Sequence, residues 1–289
     1  MKWKMKKLLF YLSIVIIPIV QVCVFYVYVN VSFFANAFTR FDLESGKYVW
    51  NGLNNFAKVV ESFKTNNAYI AAIWNSLLAT GVGVATQILI LMLSFYIQQR
   101  FFGSKVFLFI LFLPTIISTI ALSMVWQNLL VWVFPAWGLP DYFNNLSTAF
   151  ASILVFGLWA GLGGNIFIYI SAMNNVSPSV LESARLDGLG FLGEFFYIVI
   201  PGIFKSISIY LIGCLMGFFT SQSGYNFYAD DAPAETYTIG YIVFVNQLKS
   251  KNMVDFPYAC AFGLFSSFFA VPTILIARKL FDKFGPSED

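Results

Sequence analysis

The chain has 289 residues, of which 59% are hydrophobic and only 11% are charged, and its mean hydropathy is +0.75. Soluble domains carry about a quarter charged residues, so this composition excludes an ordinary soluble protein. The net charge of +3 is too small to indicate a nucleic-acid partner. Apolar stretches long enough to cross a bilayer recur along the whole sequence. They predict a polytopic membrane protein of the all-α class.

Ionisable residues are missing from the interiors of these apolar stretches, and the chain has no histidine. Proton- and ion-coupled carriers usually need an ionisable residue at membrane depth, and metal-dependent enzymes need His or carboxylate ligands. The sequence therefore argues against both classes. The phosphate-binding motif G-x-x-x-x-G-K-[ST] is also absent, so any ATP that drives the protein must be bound by a partner. The three cysteines lie inside apolar stretches and do not indicate disulfides.

Six transmembrane helices are predicted, in one domain that covers residues 1–289. The N-terminus has four lysines before its first apolar run, as a signal peptide does, but this run is too long and we predict a retained helix. Pro114 interrupts the third segment, where neighbouring groups must satisfy the freed carbonyl. The six predicted spans are 8–29, 68–97, 106–131, 147–173, 203–222 and 256–277.

Two longer polar segments connect these spans. Residues 40–64 are predicted to contain a short helix at the membrane interface, because four apolar residues share one helical face: Leu53, Phe56, Val60 and Phe63. Residues 223–255 are acidic, and the apolar piece 237–245 within them is too short to cross a bilayer.

Basic residues are concentrated on one side of the predicted bundle. Six spans put both termini on the same side, and eleven of the 17 Lys and Arg residues lie there: Lys2, Lys4, Lys6, Lys7, Arg100, Lys105, Arg185, Lys205, Arg278, Lys279 and Lys283. By the positive-inside rule this side is cytoplasmic. Both termini and the loop at 174–201 are therefore predicted to face the cytoplasm.

The loop at 174–201 has the pattern of two short helices around a glycine. Pro178 is tolerated in a first helical turn, and Gly188 is predicted to take a positive φ and turn the chain. An apolar stripe at helical spacing follows, which Pro201 ends: Phe191, Leu192, Phe195, Ile198 and Val199. The pattern predicts a helix pair that protrudes from the membrane.

This loop resembles the EAA loop of ABC-importer permeases. The resemblance rests on E-S-A-R-L-D-G-L, Glu182 to Leu189, with Phe195, Ile198 and Pro201 at the matching offsets. Ser183 stands where the motif usually has alanine, and Leu189 where it usually has a small residue. The run W-N-G-L-N-N-F at 50–56 resembles the segment after the first span of the maltose-type "F" permease. The chain is thus similar to the MetI-like permeases of the carbohydrate-uptake group.

The resemblance implies a permease subunit whose coupling helix docks on an ATPase. The residues that correspond to the coupling motif are Glu182, Ser183, Ala184, Arg185, Asp187 and Gly188. The implied partners are a second homologous permease in a heterodimer, two ATPase subunits, an extracytoplasmic solute-binding protein and the lipid bilayer. ATP and Mg²⁺ would be bound by the ATPase subunits and no cofactor by this chain, which would not be an enzyme by itself.

Neutral polar groups inside the spans are candidates for the substrate pathway. Each alone is more often an interhelical hydrogen-bonding or packing residue, but the resemblance implies that their segments line the sugar site: Thr115, Ser118, Thr119, Trp159, Gly161, Asn165, Ser221 and Gln222. Thr115 and Thr119 are four residues apart and would share one helical face after Pro114. The glycines before Asn165 would let two helices approach closely or let one unwind.

Other functions remain open from the residues alone. An ion-independent secondary carrier would show inverted repeats, and a structural membrane subunit would lack a polar pathway. An ABC permease for a solute other than a sugar would have the same loop. The sequence favours an ATP-driven, binding-protein-dependent importer of a sugar or oligosaccharide.

Overall fold

The structure, a computed structural model, describes residues 2–250 and 252–286. Met1, Lys251 and the last three residues of the predicted 1–289 domain lie outside this description. By its internal contacts the chain forms two compact units. The first unit consists of the chain up to Phe63 and of Asn246–Ser266. The second unit consists of Lys64–Val245 and of the chain from Ser267 onward.

A long apolar rod begins the first unit. It consists of α1 (Lys2–Gln21), a π-helical stretch (Val22–Tyr28) and α2 (Val29–Ala37). Its candidate membrane-spanning part is Phe10–Ala37, which is longer than the predicted 8–29, because the helix continues through α2. None of its most apolar window is buried within the chain.

A β-hairpin follows this rod, which the sequence pattern did not predict. Strands β1 (Thr39–Asp42) and β2 (Lys47–Trp50) pair antiparallel in the register Thr39↔Trp50 and Asp42↔Lys47. The side chain of Asp42 accepts hydrogen bonds from the backbone and hydroxyl of Ser45, and Gly46 takes φ +63°. These contacts close the tight turn between the strands.

The W-N-G-L-N-N-F run ties the hairpin to the next helix, α3 (Asn54–Thr65). Asn55 is 4% exposed, and its side chain donates to the carbonyls of Ala37 (2.9 Å) and Thr39 (2.7 Å). The predicted short helix is confirmed. Its buried residues are Asn55 and Val59, whereas Leu53 and Val60 are exposed, because the buried amide turns this side of the helix inward.

The remaining part of this unit is the start of α16 (Phe256–Phe284) and the end of α15 (Ile239–Lys249). Cys260 and Ala261 pack with Ala37 in a small buried cluster. Gly263 lies under the ring of Phe33, where an added Cβ would come within 3.0 Å of the ring. A side chain there would push the two helices apart.

The second unit is a helical bundle organised around α4 (Asn67–Gln98). Its other helices, in chain order, are α5 (Ser104–Ile116), α6 (Thr119–Asn128), α7 (Phe134–Ala136), α8 (Leu146–Gly161), α9 (Ile166–Asn174), α10 (Pro178–Leu186), α11 (Phe191–Gly193), α12 (Ile200–Gly202), α13 (Phe204–Thr220) and α14 (Tyr225–Tyr228), followed by the start of α15 and the end of α16. Short π-helical stretches cover Leu129–Val133 and Glu194–Val199, and a 3₁₀ turn covers Ala234–Thr236. The core is apolar and lies between α4, α9 and α13.

The all-α, six-span fold class is confirmed, and two of the spans are bent. Within the described residues, four helices are long and apolar enough to cross a membrane: Phe10–Ala37, Asn67–Gln98, Thr119–Ala136 and Phe256–Phe284. Two bent pairs bring the total to six. They are Leu146–Gly161 with Ile166–Asn174, bent by 42°, and Phe191–Gly202 with Phe204–Thr220, bent by 78°.

The third span, predicted at 106–131 with an interruption at Pro114, is divided between two helices. Pro114 lies inside α5, and the helix breaks after it at Ile117 and Ser118, whose ψ angles of 141° and 131° are extended. Proline removes a backbone donor one turn before the break, so the helix stops and α6 begins anew. Thr115 and Thr119 therefore lie on different helices and do not share one helical face.

Candidate functional site

The EAA-type loop forms two helices around a glycine, as predicted. Pro178 begins α10, and Gly188 takes φ +86° after its last turn. The backbone N–H of Leu189 donates to the carbonyl of Ala184 (3.0 Å), which closes the end of the helix in the manner of a left-handed cap. The chain then turns into Phe191–Gly202. Phe195 and Val199 of the predicted stripe are buried.

The α10 helix stands out from the bundle. None of its nine residues, all of which the structure describes, is buried. Leu186 at its end is 88% exposed, although it is a large apolar residue. Of the predicted coupling residues, Ala184 is half-buried and the others are exposed: Glu182, Ser183, Arg185, Asp187 and Gly188. Their docking on an ATPase stays a prediction.

Sequence reasoning missed a polar cluster behind this helix. Arg185 contacts both carboxylate oxygens of Glu194, with Nε 2.9 Å from Oε2 and an Nη nitrogen 2.9 Å from Oε1. Gln99, next to the end of α4, donates its amide to Oε1 of Glu194 at 2.6 Å and accepts from Arg185 at 3.2 Å. The hydrogen bonds to Glu194, together with the negative charge of that carboxylate, raise the pKa of the Arg185 guanidinium. The available signal was a lone acidic residue within an apolar stripe.

The fourth span is interrupted between α8 and α9, where three of the predicted pathway residues lie. Gly163 approaches α5 so closely that a Cβ on it would overlap the carbonyl of Leu111 and lie 2.8 Å from Cγ2 of Thr115. The glycines thus do what was predicted: they allow close approach and local unwinding. The interruption brings Thr115 next to the turn that contains Gly161 and Asn165.

Asn165 is joined to the second span through a residue the sequence analysis did not single out. Its side-chain nitrogen lies 3.3 Å from Oε1 of Gln87, and the hydroxyl of Tyr169 lies 3.2 Å from the same oxygen. Gln87 is half-buried near the middle of α4. The signal available was a lone amide in an apolar helix.

Trp159 is part of an aromatic stack. Its ring lies 5.7 Å from that of Trp126, nearly parallel at 24°, and both rings lie near Phe156. The indole N–H of Trp126 is buried and has no acceptor among the described residues. Trp126 was also not predicted.

Ser221 and Gln222 lie at the end of α13, beside α15. Thr238 donates its hydroxyl to the carbonyl of Ser221 at 2.6 Å. Gly240 packs so closely that a Cβ on it would lie 2.5 Å from the same carbonyl oxygen. The backbone N–H of Ile239 donates to Ser76 of α4 at 2.8 Å. The structure thus groups the predicted residues in two places, one at the break before Asn165 and one at Ser221, while Ser118 and Thr119 are exposed at the start of α6.

Curated relatives with known roles match most of the chain. No family model matches. The glucose import system permease of Saccharolobus solfataricus is 26% identical over 60% of this chain and 63% of its own length, so the match spans just under two thirds of that relative. The arabinooligosaccharide transport permease of Bacillus subtilis is 22% identical over 90% of this chain and 85% of its own. An sn-glycerol-3-phosphate transport permease of Yersinia enterocolitica is 22% identical over 56% of each chain.

The fold is also that of a solved transporter subunit. A chain of a bacterial ABC transporter involved in the import of the acidic polysaccharide alginate superposes with a TM-score of 0.77 over 98% of both chains, at 19% identity. The sequence likeness covers nearly the whole chain, and the helical fold agrees. The chain is thus similar in sequence to permease subunits of carbohydrate-uptake ABC importers.

Proposed function

We propose that the chain forms half of the translocation pathway of an ATP-driven, binding-protein-dependent importer of a sugar or oligosaccharide. It pairs with a second, homologous permease and receives motion from two ATPase subunits, which bind ATP and Mg²⁺. A solute-binding protein delivers the substrate on the opposite side of the membrane. Both termini and the EAA-type loop face the cytoplasm, as the distribution of Lys and Arg favours.

The exposure of α10 is the main observation that supports this proposal. A helix that leaves all of its residues unburied and ends in an exposed leucine is poorly stabilised by its own chain. Contact with a partner would bury the apolar side chain of Leu186 and the exposed carboxylates of Glu182 and Asp187 beside it. Exposed apolar side chains rimmed by polar ones are typical of protein interfaces.

The substrate pathway in this proposal contains neutral polar groups and rings. Its predicted residues are Thr115, Ser118, Thr119, Trp159, Gly161, Asn165, Ser221 and Gln222. Gln87 joins them because it holds Asn165, and Trp126 because it stacks on Trp159 and keeps a free indole N–H. Uncharged sugars are bound by such amides, hydroxyls and ring faces.

The experiment is purification of the tagged chain from its native membranes, followed by reconstitution of what co-purifies. An ATPase subunit, a second permease and ATP-dependent uptake of labelled sugar into proteoliposomes are expected. The uptake panel contains glucose, an arabino-oligosaccharide, maltotriose and sn-glycerol-3-phosphate. Absence of an ATPase subunit from a monodisperse, intact preparation would refute the proposal.

The panel also separates the alternatives. Uptake of only sn-glycerol-3-phosphate would indicate a permease for a phosphorylated polyol, which the likeness to the Yersinia protein favours as a second candidate. Uptake that persists without ATP and without an ATPase subunit would indicate a secondary carrier.

A further inference from the structure

Three side chains from separate segments meet behind α10. Gln99 follows the last residue of α4, Arg185 lies in the last turn of α10, and Glu194 lies beyond the Gly188 turn. The three are joined by four hydrogen bonds between 2.6 and 3.2 Å. We refer to Gln99, Arg185 and Glu194 as the clamp.

Glu194 is the buried member of the clamp. It is 4% exposed, whereas the side chain of Arg185 is about half exposed. A buried carboxylate is stable only with partners that satisfy both of its oxygens. The two parallel contacts from Arg185 form a fork, which fixes direction as well as distance. The fork therefore sets the angle between α10 and the segment after the turn.

Aromatic packing supports the same junction. Phe95, one turn before Gln99, is 1% exposed. Its ring lies 4.7 Å from that of Phe191 and 5.0 Å from that of Phe195, the neighbour of Glu194. The end of α4 and the segment after the turn are thus packed as well as hydrogen-bonded.

The other end of α4 reaches the far side of the bundle. Ser76, Gln87 and Ser94 are 11 and 7 residues apart, which places them on one face of the helix at 3.6 residues per turn. Ser76 accepts a hydrogen bond from the backbone N–H of Ile239, and Gln87 accepts one from the side chain of Asn165. A displacement of α4 would act on both of these contacts.

We propose that the clamp transmits motion from α10 to α4, and that Arg185 and Glu194 are positioning residues for coupling. The proposal rests on the proposed function, since it assumes that an ATPase moves α10. Among the described residues Glu182 and Asp187 make no side-chain hydrogen bond to the bundle, so they lack this connection to α4. Movement imposed on α10 reaches the Asn165 break and the α13–α15 contact through α4.

The test joins a distance measurement to a transport measurement on the assembled complex. Spin labels are placed at Val180→Cys, an exposed position on α10, and at Phe102→Cys, which is fully exposed just beyond α4, after replacement of the native cysteines Cys23, Cys214 and Cys260 by alanine. The wild-type clamp is expected to give one narrow distance population. Glu194→Gln, which keeps the shape of the side chain and removes its charge, is expected to broaden it.

In proteoliposomes, Glu194→Gln and Arg185→Met are expected to lower solute uptake per ATP hydrolysed about tenfold, measured with the same four labelled solutes. In Glu194→Gln, ATP hydrolysis itself should stay within about twofold of wild type, because only the connection between α10 and α4 is lost. The exchanged pair Arg185→Glu with Glu194→Arg should restore part of the ratio. Arg278→Met is the matched control, because Arg278 pairs with Asp282 only at 3.9 Å on the exposed surface.

Two outcomes would overturn the proposal that the clamp transmits motion. One is an unchanged, narrow distance population and unchanged uptake per ATP in Glu194→Gln. The other is a parallel fall of uptake and hydrolysis with an unchanged distance, which would make the ion pair a stabilising contact only. A wild-type complex without an ATPase or uptake would instead refute the proposed function, and the transmission with it.

Discussion

The side chain of Asn165 donates to Oε1 of Gln87 across 3.3 Å, and this contact joins the interruption of the fourth span to the middle of the second. Tyr169 donates to the same oxygen at 3.2 Å. Interruptions of membrane helices leave backbone groups without partners, and they persist where neighbouring polar side chains or water satisfy them. The Gln87 side chain thus links the polar groups at the break to α4.

Asn165→Ala is expected to lower uptake several-fold while ATP hydrolysis stimulated by the binding protein stays near wild type. Loss of a neutral hydrogen bond costs on the order of 1 kcal/mol, which is a several-fold change in affinity. The measurement is uptake and hydrolysis in the same proteoliposomes. Asn128→Ala is the control, since Asn128 donates only to a carbonyl of its own helix. Equal effects of the two substitutions would contradict a special role of Asn165.

Gly163→Ala is expected to lower thermal stability because its Cβ would overlap Leu111 of α5 and approach Thr115. Overpacking of this kind typically costs about 1–3 kcal/mol. The unfolding midpoint of the detergent-purified protein measures the effect. Gly157→Ala in the same span is the matched control, because no neighbouring side chain or element lies within 4 Å of its added Cβ. A midpoint for Gly163→Ala equal to that of Gly157→Ala would show that α5 and the break do not pack closely.

Gly188→Val is expected to abolish uptake while the chain still inserts into the membrane. A β-branched residue at φ +86° is strained by about 1–2 kcal/mol, and relief of this strain would change the angle between α10 and the following segment. The control is Gly190→Val, where φ is −78° and no atom lies near an added Cβ. Uptake at the wild-type level in Gly188→Val would contradict the need for this turn.

The helices could be predicted from the sequence because a bilayer requires long apolar segments, and the Gly188 turn because few other residues take a positive φ. Pro114 indicated that the third span is interrupted, but the sequence did not show that Ile117 and Ser118 after it are extended. The hairpin after Ala37 was missed because a contact distant in sequence secures it. Its strands are only four residues long, and the amide of Asn55 that secures them comes from α3.

The sequence predicted the loop of the candidate site but not the side-chain contacts that connect it to the bundle. The motif marks Glu182 and Asp187 as exposed residues, which they are. Glu194 falls within an apolar stripe, and its pairing with Gln99 joins residues 95 positions apart. Spacing on one helix carries no information about such a contact. Gln87 and Trp126 were missed likewise, since a single polar or aromatic residue in a span most often has a packing role.

Charge reversal at the exposed end of α10 is expected to weaken assembly with the ATPase. Glu182→Lys and Asp187→Lys would place positive charges where the docking proposal needs carboxylates, and like charges at an interface cost several kcal/mol. The measurement is the amount of ATPase subunit that co-purifies with the chain. Glu44→Lys, an exposed acidic position on the hairpin turn, is the control. Wild-type recovery and uptake for the double variant would mean that both carboxylates are merely solvated.

Single cysteines at Thr115, Thr119, Asn165 and Ser221 are expected to react with a water-soluble maleimide in at least one nucleotide state. The native Cys23, Cys214 and Cys260 are first replaced by alanine. Thr115 and Asn165 flank the same interruption, so their labelling should change together between the ATP-bound and nucleotide-free complex. Ser221 is held by α15 at the end of α13, and its labelling should change in the opposite sense if access alternates between the two sides.

Ser94→Cys provides the unreactive reference, because Ser94 is fully buried between α4 and α9. Transported solute at saturating concentration should slow labelling at the pathway positions and leave labelling at the exposed Phe102→Cys unchanged. Such protection would distinguish contact with substrate from simple exposure to water. If none of the four cysteines reacts in any nucleotide state, these residues pack helices together and do not line a pathway.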